Sequence, residues 1–121
     1  MRSLICEDEF GCRKILLRML SELGECDVAA KGDEALDAYV EAQQRGKPYD
    51  LICLDIMLPN LSGQEILREI RRHEEAHGIG GLDRVKIIMT TGLSDPQTVL
   101  ESFREGCEGY IIKPVLSLIH I

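Results

Sequence analysis

No stretch of this 121-residue chain carries the roughly 18–20 apolar residues that a membrane-spanning helix needs. The amino end lacks the apolar core of a secretory leader, because Met1 to Cys6 meets Glu7 too early. Basic charge is scarce: 14 Lys and Arg stand against 21 Asp and Glu, a formal net charge of −7. Phosphate backbones demand clustered Lys and Arg, so nucleic acid is not expected as a direct partner. The five cysteines (Cys6, Cys12, Cys26, Cys53, Cys107) are scattered and form no C-x-x-C pair, which leaves cysteine-based zinc and redox motifs unsupported. Reduced, buried thiols in a cytoplasmic protein are the expectation. Repeats, low-complexity tracts and linkers are also missing. What remains is 45% apolar and 29% charged, a composition that fits one globular domain with one core.

The chain is organised around Leu51-Ile52-Cys53-Leu54-Asp55. Four apolar residues are too few for a helix and read as a strand buried on both faces. Asp55 is the first charge after that run, and Pro59 prevents the strand from resuming. Similar runs predict strands at Ser3–Cys6, Cys26–Ala30, Val85–Met89 and Glu108–Ile112. Between them lie helical patterns. The first places Cys12, Ile15, Leu16, Met19, Leu20 and Leu23 on one face, with Gly24 as a left-handed cap. The second opens with Asp33 as N-cap, carries Leu36, Tyr39 and Val40 inward and ends near Gly46. The third starts from a Ser62/Glu65 capping box, buries Ile66, Leu67 and Ile70, and shows Arg68, Glu69, Arg71 and Arg72 to water. The fourth follows Asp95-Pro96, with Val99, Leu100 and Phe103 on one face. Five alternations of strand and helix predict a doubly wound α/β domain with a parallel sheet.

A fifth helix is expected after the fifth strand, yet Val115 to Ile121 has no helical period and no cap. The peptide Leu-Ser-Leu-Ile-His-Ile, residues 116–121, is also the translation of a transposase adapter used in sequencing libraries. The expectation is a domain over residues 1–115 that lacks its last helix, and a non-native tail over 116–121.

In an open parallel sheet, ligands sit beyond the carboxyl ends of the strands. Glu7 and Asp8 end the first strand, Asp55 the third, Thr90-Thr91 the fourth and Lys113 the fifth. Three carboxylates in one crevice repel one another unless a hard cation shares them. Oxygen ligands without His or Cys point to Mg²⁺ or a similar ion. A Lys and a Thr hydroxyl add donors for a phosphoryl oxygen. Together these groups suit a carboxylate that receives a phosphoryl group. Each piece alone is ordinary: an acidic loop, a Lys-Pro turn, a β-branched strand end. Their order along the chain is what carries weight.

These motifs resemble the receiver domain of two-component response regulators, the single-domain chemotaxis-regulator type included. The likeness runs over about residues 2–115. It rests on Leu4-Ile5-Cys6-Glu7-Asp8-Glu9, Leu54-Asp55-Ile56-Met57-Leu58-Pro59 with Ser62-Gly63, Ile87-Ile88-Met89-Thr90-Thr91-Gly92, and Gly109-Tyr110-Ile111-Ile112-Lys113-Pro114. The resemblance implies a flavodoxin-like five-stranded sheet in the order 2-1-3-4-5. It implies Asp55 as phosphoacceptor, with Mg²⁺ (or Mn²⁺) held by Glu7, Asp8, Asp55 and the Met57 backbone carbonyl, Asp8 being the more direct acidic ligand. Thr91 and Tyr110 would form the switch, with Thr90 facing away, and Lys113 would contact the acyl phosphate. A sensor histidine kinase or phosphotransfer protein would donate the phosphoryl group, and a downstream effector protein would read the result. Neither nucleic acid nor a membrane is expected as a direct partner. Self-catalysed phosphorylation and dephosphorylation would be weak, which makes this a signalling protein and not an enzyme.

Two departures matter. Gly92 stands where the family usually has Ala. Met57 and Leu93, both apolar, flank the phosphoryl position and cannot orient water, so slow autodephosphorylation is expected. Two competing readings are weaker. A phosphatase of the haloacid dehalogenase type wants a second Asp where Met57 stands. A degenerate receiver that only binds partners would lack some of the five key side chains, and all five are present.

Overall fold

The computed structural model describes residues 1–92 and 95–113. Strands β1 (Ser3–Cys6), β2 (Cys26–Ala29), β3 (Leu51–Leu54), β4 (Lys86–Thr91) and β5 (Gly109–Ile112) alternate with helices α1 (Phe10–Ser21), α2 (Gly32–Gln44), α3 (Gly63–Ala76) and α4 (Pro96–Arg104). All strand pairs are parallel and the order is β2-β1-β3-β4-β5, as the resemblance implied. The expected loss of a last helix and the non-native tail both fall on residues outside the described ones.

Side chains alternate across a strand, and the register turns that alternation into layers. Leu4, Ile52 and Ile87 align across β1, β3 and β4, and so do Cys6, Leu54 and Met89. All six are buried and pack with Tyr39 of α2 and Ile66, Leu67 and Ile70 of α3. Each of the large aliphatic side chains contributes about 1.5–3 kcal/mol by leaving water. On the other face Ile5 packs with Cys12 and Leu16 of α1. The five cysteines are free thiols, and all but Cys26 are buried. Burial drives the Cys6, Cys12 and Cys53 thiols up to about 12, so they stay protonated and inert.

The caps of α3 and α4 form as expected. The Glu65 N–H donates to the Ser62 hydroxyl at 3.2 Å, and the Thr98 N–H donates to Asp95 at 2.9 Å. The cap of α2 differs. Lys31 occupies the N-cap and Asp33 lies inside the first turn, where its carboxylate meets the Asn60 amide at 3.5 Å. A carboxylate there still opposes the helix dipole favourably. Gly24 is not the cap of α1, which ends at Ser21 with Glu22 as its C-cap. Gly24 has a φ of +151°, and a Cβ on it would collide with the Met1 backbone.

Several apolar residues expected inside are exposed: Met19, Leu23, Leu100 and Phe103. Leu36 and Val40 are only partly buried. Periodicity tells which face turns inward but not how wide a stripe the neighbours cover. The described residues cover α4 mainly at Ser102, which accepts a hydrogen bond from Gln64 of α3 at 3.4 Å. Arg71, expected in water, is instead turned inward with a side chain only 10% exposed.

Candidate functional site

The β1–β3 ladder continues one residue past Leu54, because the Asp55 N–H donates to the Cys6 carbonyl at 3.0 Å. Likewise the Glu7 N–H donates to the Ala29 carbonyl at 3.1 Å. These bonds fix both acids at strand ends, beside one another. The loop after Asp55 turns back sharply. The Gly63 N–H donates to the Ile56 carbonyl at 2.9 Å, and a Cβ on Gly63 would collide with the Asp55 carbonyl. Only glycine allows α3 to begin so close to Asp55. The Ser62-Gly63 pair carried that signal in the sequence.

Glu7 is fully buried, Asp55 nearly so, and Asp8 is exposed. Carboxylate oxygens of all three lie within 4.8 Å of one another. The Lys113 ammonium donates to Asp55 Oδ2 at 3.0 Å and lies 2.8 Å from Glu7 Oε1 and 3.8 Å from Glu9. The Met57 N–H donates to Asp55 Oδ1 at 3.0 Å, and the Glu9 N–H to Glu7 Oε2 at 3.1 Å. Those two amides and the contact with Glu9 were not foreseen, since backbone donors leave no mark in a residue pattern.

The electrostatics are unbalanced. Three carboxylates face one ammonium, and the buried Glu7 Oε1 shares that ammonium with Asp55. Burial raises the Glu7 carboxyl above its ordinary value, and the neighbouring Asp55 adds to this, against the opposing pull of Lys113. Burial pulls the Lys113 ammonium down, but hydrogen bonds to Glu7 and Asp55 outweigh it and hold the ammonium above its ordinary value. Surplus negative charge and an all-oxygen donor set fit a hard divalent cation. Glu7, Asp8 and Asp55 are the side chains positioned to hold it.

Thr90 and Thr91 are both fully buried at the carboxyl end of β4. The Lys113 N–H donates to the Thr91 carbonyl at 2.8 Å, which ties the fourth and fifth strand ends together. Tyr110 is half-buried, pairs in register with Met89 and packs against the main core. Met57 is 63% exposed on the loop after Asp55. Leu93 lies outside the described residues.

A doubly wound parallel sheet with an acid pocket and a lysine at its carboxyl edge defines a class of α/β domain. The particular family follows from comparison. The response regulator receiver domain model matches residues 3–118, and the chain belongs to that family. It is 35% identical over 112 residues to "Probable transcriptional regulator ycf27" of Cyanidium caldarium, covering 92% of this chain and 39% of that protein. It is 34% identical over 112 residues to "Transcriptional regulatory protein ResD" of Bacillus subtilis (strain 168), covering 92% and 41%. The chain therefore spans about two fifths of the length of these curated relatives. The crystal structure of the receiver domain of the histidine kinase CKI1 from Arabidopsis thaliana, complexed with Mg²⁺ and BeF₃⁻, superposes with a TM-score of 0.78 at 27% identity. It covers 99% of this chain and 85% of that one.

Proposed function

We propose that this receiver domain accepts a phosphoryl group on Asp55 from a phosphohistidine of a sensor kinase or phosphotransfer protein. An Asp55 oxygen attacks phosphorus as the P–N bond breaks, and the departing imidazole takes up a proton. The observation that carries the reading is the setting of Asp55: a buried strand-end carboxylate, held 3.0 Å from Lys113 and flanked by Glu7 and Asp8.

The chain's own groups have separate tasks. The Met57 N–H orients Asp55 through Oδ1 and leaves Oδ2 to Lys113. Lys113 then exchanges its contact with Asp55 Oδ2 for one with a phosphoryl oxygen. Glu7, Asp8, Asp55 and the Met57 carbonyl would hold Mg²⁺ or Mn²⁺, which when bound offsets the charge of the phosphoryl oxygens. The CKI1 receiver, crystallised with Mg²⁺ and BeF₃⁻, supports that assignment by analogy. Thr91 would donate its hydroxyl to the new phosphoryl group, and Tyr110 would follow it inward. That motion would change the α4–β5 surface read by a downstream effector protein. The setting of this exchange would be the cytoplasm, and among the described residues no helix is long and apolar enough to cross a membrane.

Beryllofluoride with Mg²⁺ tests this. Amide resonances of Thr91, Tyr110 and Lys113 should shift in the wild type and stay still in Asp55→Asn. A wild-type domain that ignores beryllofluoride, or an Asp55→Asn domain that responds equally, would overturn the reading.

A further inference from the structure

The last turn of α3 carries a second constellation, next to the amino end of β4 and so at the opposite edge of the sheet from Asp55. Its residues are His73-Glu74-Glu75-Ala76-His77. This spacing, H-E-x-x-H, sets two imidazoles on one helix face. Their rings are stacked, with centroids 4.1 Å apart and planes 22° from parallel. Two nitrogens on one zinc ion lie at most about 4.2 Å apart, because each Zn–N bond is about 2.0–2.1 Å. The lone pairs lie in the ring planes and run nearly parallel in the stack, so the exposed His77 ring must turn out of it for both to meet one ion.

The outer hydrogen bonds bear on which ring nitrogens are free. His77 Nδ1 lies 2.8 Å from the His73 carbonyl. A carbonyl only accepts, so Nδ1 carries the proton and Nε2 keeps its lone pair. His73 Nδ1 lies 3.2 Å from the Tyr39 hydroxyl, and in the tautomer with the proton on Nδ1 the hydroxyl accepts it and Nε2 is left to ligate. A bond from the far nitrogen to a fixed acceptor is the usual support of a metal-binding histidine. Burial and the neighbouring His77 hold the His73 imidazole below its ordinary value against the pull of Glu74, which favours the neutral form that ligates.

We propose that His73 and His77 form a chelating site for a divalent transition ion of the Ni²⁺, Cu²⁺ or Zn²⁺ class, separate from the acid pocket. Imidazole pairs select these ions over Mg²⁺. The site binds and does not hydrolyse. In metalloproteases with this spacing the intervening Glu is the general base. Here Glu74 is 1% exposed, its Oε1 is held by Arg71 at 2.7 Å and its Oε2 by the Val85 N–H at 2.8 Å. Among the described residues the only cluster of three or more ligating side chains is Glu7, Asp8 and Asp55, so water completes the coordination of the histidine pair. The inference does not depend on the phosphoacceptor reading.

Ni²⁺ is titrated calorimetrically into the full chain with Mg²⁺ in excess. One micromolar site is expected in the wild type, weakened at least tenfold in His77→Gln and unchanged in Asp8→Asn. Paramagnetic broadening of the His73 ring protons should accompany it. Absence of a site in the wild type, equal affinity in His77→Gln, or loss in Asp8→Asn would each overturn the assignment. His77 is exposed, so its variant folds.

Discussion

The two ends of the sheet handle buried charge in opposite ways. At the amino end, Arg71 binds Glu74 at 2.7 Å and Glu108 at 2.9 Å, and also the carbonyls of Val85 and Gly106. Arg84 lies 3.5 Å from Glu74, and Glu108 accepts from the Ile87 N–H at 2.6 Å. Two guanidinium groups meet two carboxylates, and both oxygens of the buried Glu74 are used. At the carboxyl end, three carboxylates crowd together and Glu7 and Asp55 share a single ammonium. The balanced network ties α3, β4 and the α4–β5 turn together. The unbalanced one stores repulsion that a bound divalent cation would relieve. Neutrality marks the structural cluster, and surplus charge marks the proposed phosphoacceptor pocket.

That contrast breaks most visibly at Arg71. Arg71→Ala leaves the buried Glu74 with only the half-exposed Arg84 at 3.5 Å as its cation, so urea denaturation should report a loss of about 3–5 kcal/mol. Mg²⁺ affinity should not change, since the two clusters share no partner. A smaller effect of the opposite sign is expected at the other end. Glu7→Gln removes one of three like charges, so the metal-free domain should gain on the order of 1 kcal/mol. Its Mg²⁺ affinity should fall by about tenfold or more, read by titration. Loss of stability in Glu7→Gln would mean that the acid pocket is structural after all.

Next comes Met57, exposed beside Asp55. Met57→Asn supplies a group able to orient water, so the acyl phosphate should decay several-fold faster in a single-turnover measurement. An unchanged lifetime would remove Met57 from the site. The smallest effect belongs to Asp95, outside both clusters. Hydrogen bonds from the Thr98 hydroxyl and N–H lower its carboxyl below the ordinary value of 3.8. A depressed carboxyl stabilises the fold above its unfolded value, and that contribution is lost as pH falls through the lower folded one. Circular dichroism of Asp95→Asn should lack the helical loss seen in the wild type over that acid range.

The two ends also differ in what the residue order revealed. Asp55 is the first charge after a run of apolar residues, and Glu7 stands in the same relation to Ser3–Cys6. Strand ends of this kind are legible because the boundary between buried and exposed is written locally. Arg71 and Glu74 were not legible. Arg71 sits among charges on a helix that is otherwise solvated on that side, and its partner Glu108 lies 37 residues away. Burying a charge depends on who meets it, and sequence distance hides the meeting. The same limit explains Leu100 and Phe103, whose spacing named a face but not its cover. It explains Met57 too, since its amide contact with Asp55 follows from the turn of the chain and not from its side chain.

The order of residues was sufficient for five strands, four helices, their alternation, and the acids, threonines and lysine at the strand ends, because period and turn chemistry act over a few residues. Only the folded chain decided that Lys113 spans Asp55 and Glu7, that Gly63 lets α3 start against the Asp55 carbonyl, and that Arg71 neutralises Glu74. Those outcomes depend on distances between segments far apart in the chain, which are set when the sheet closes its register.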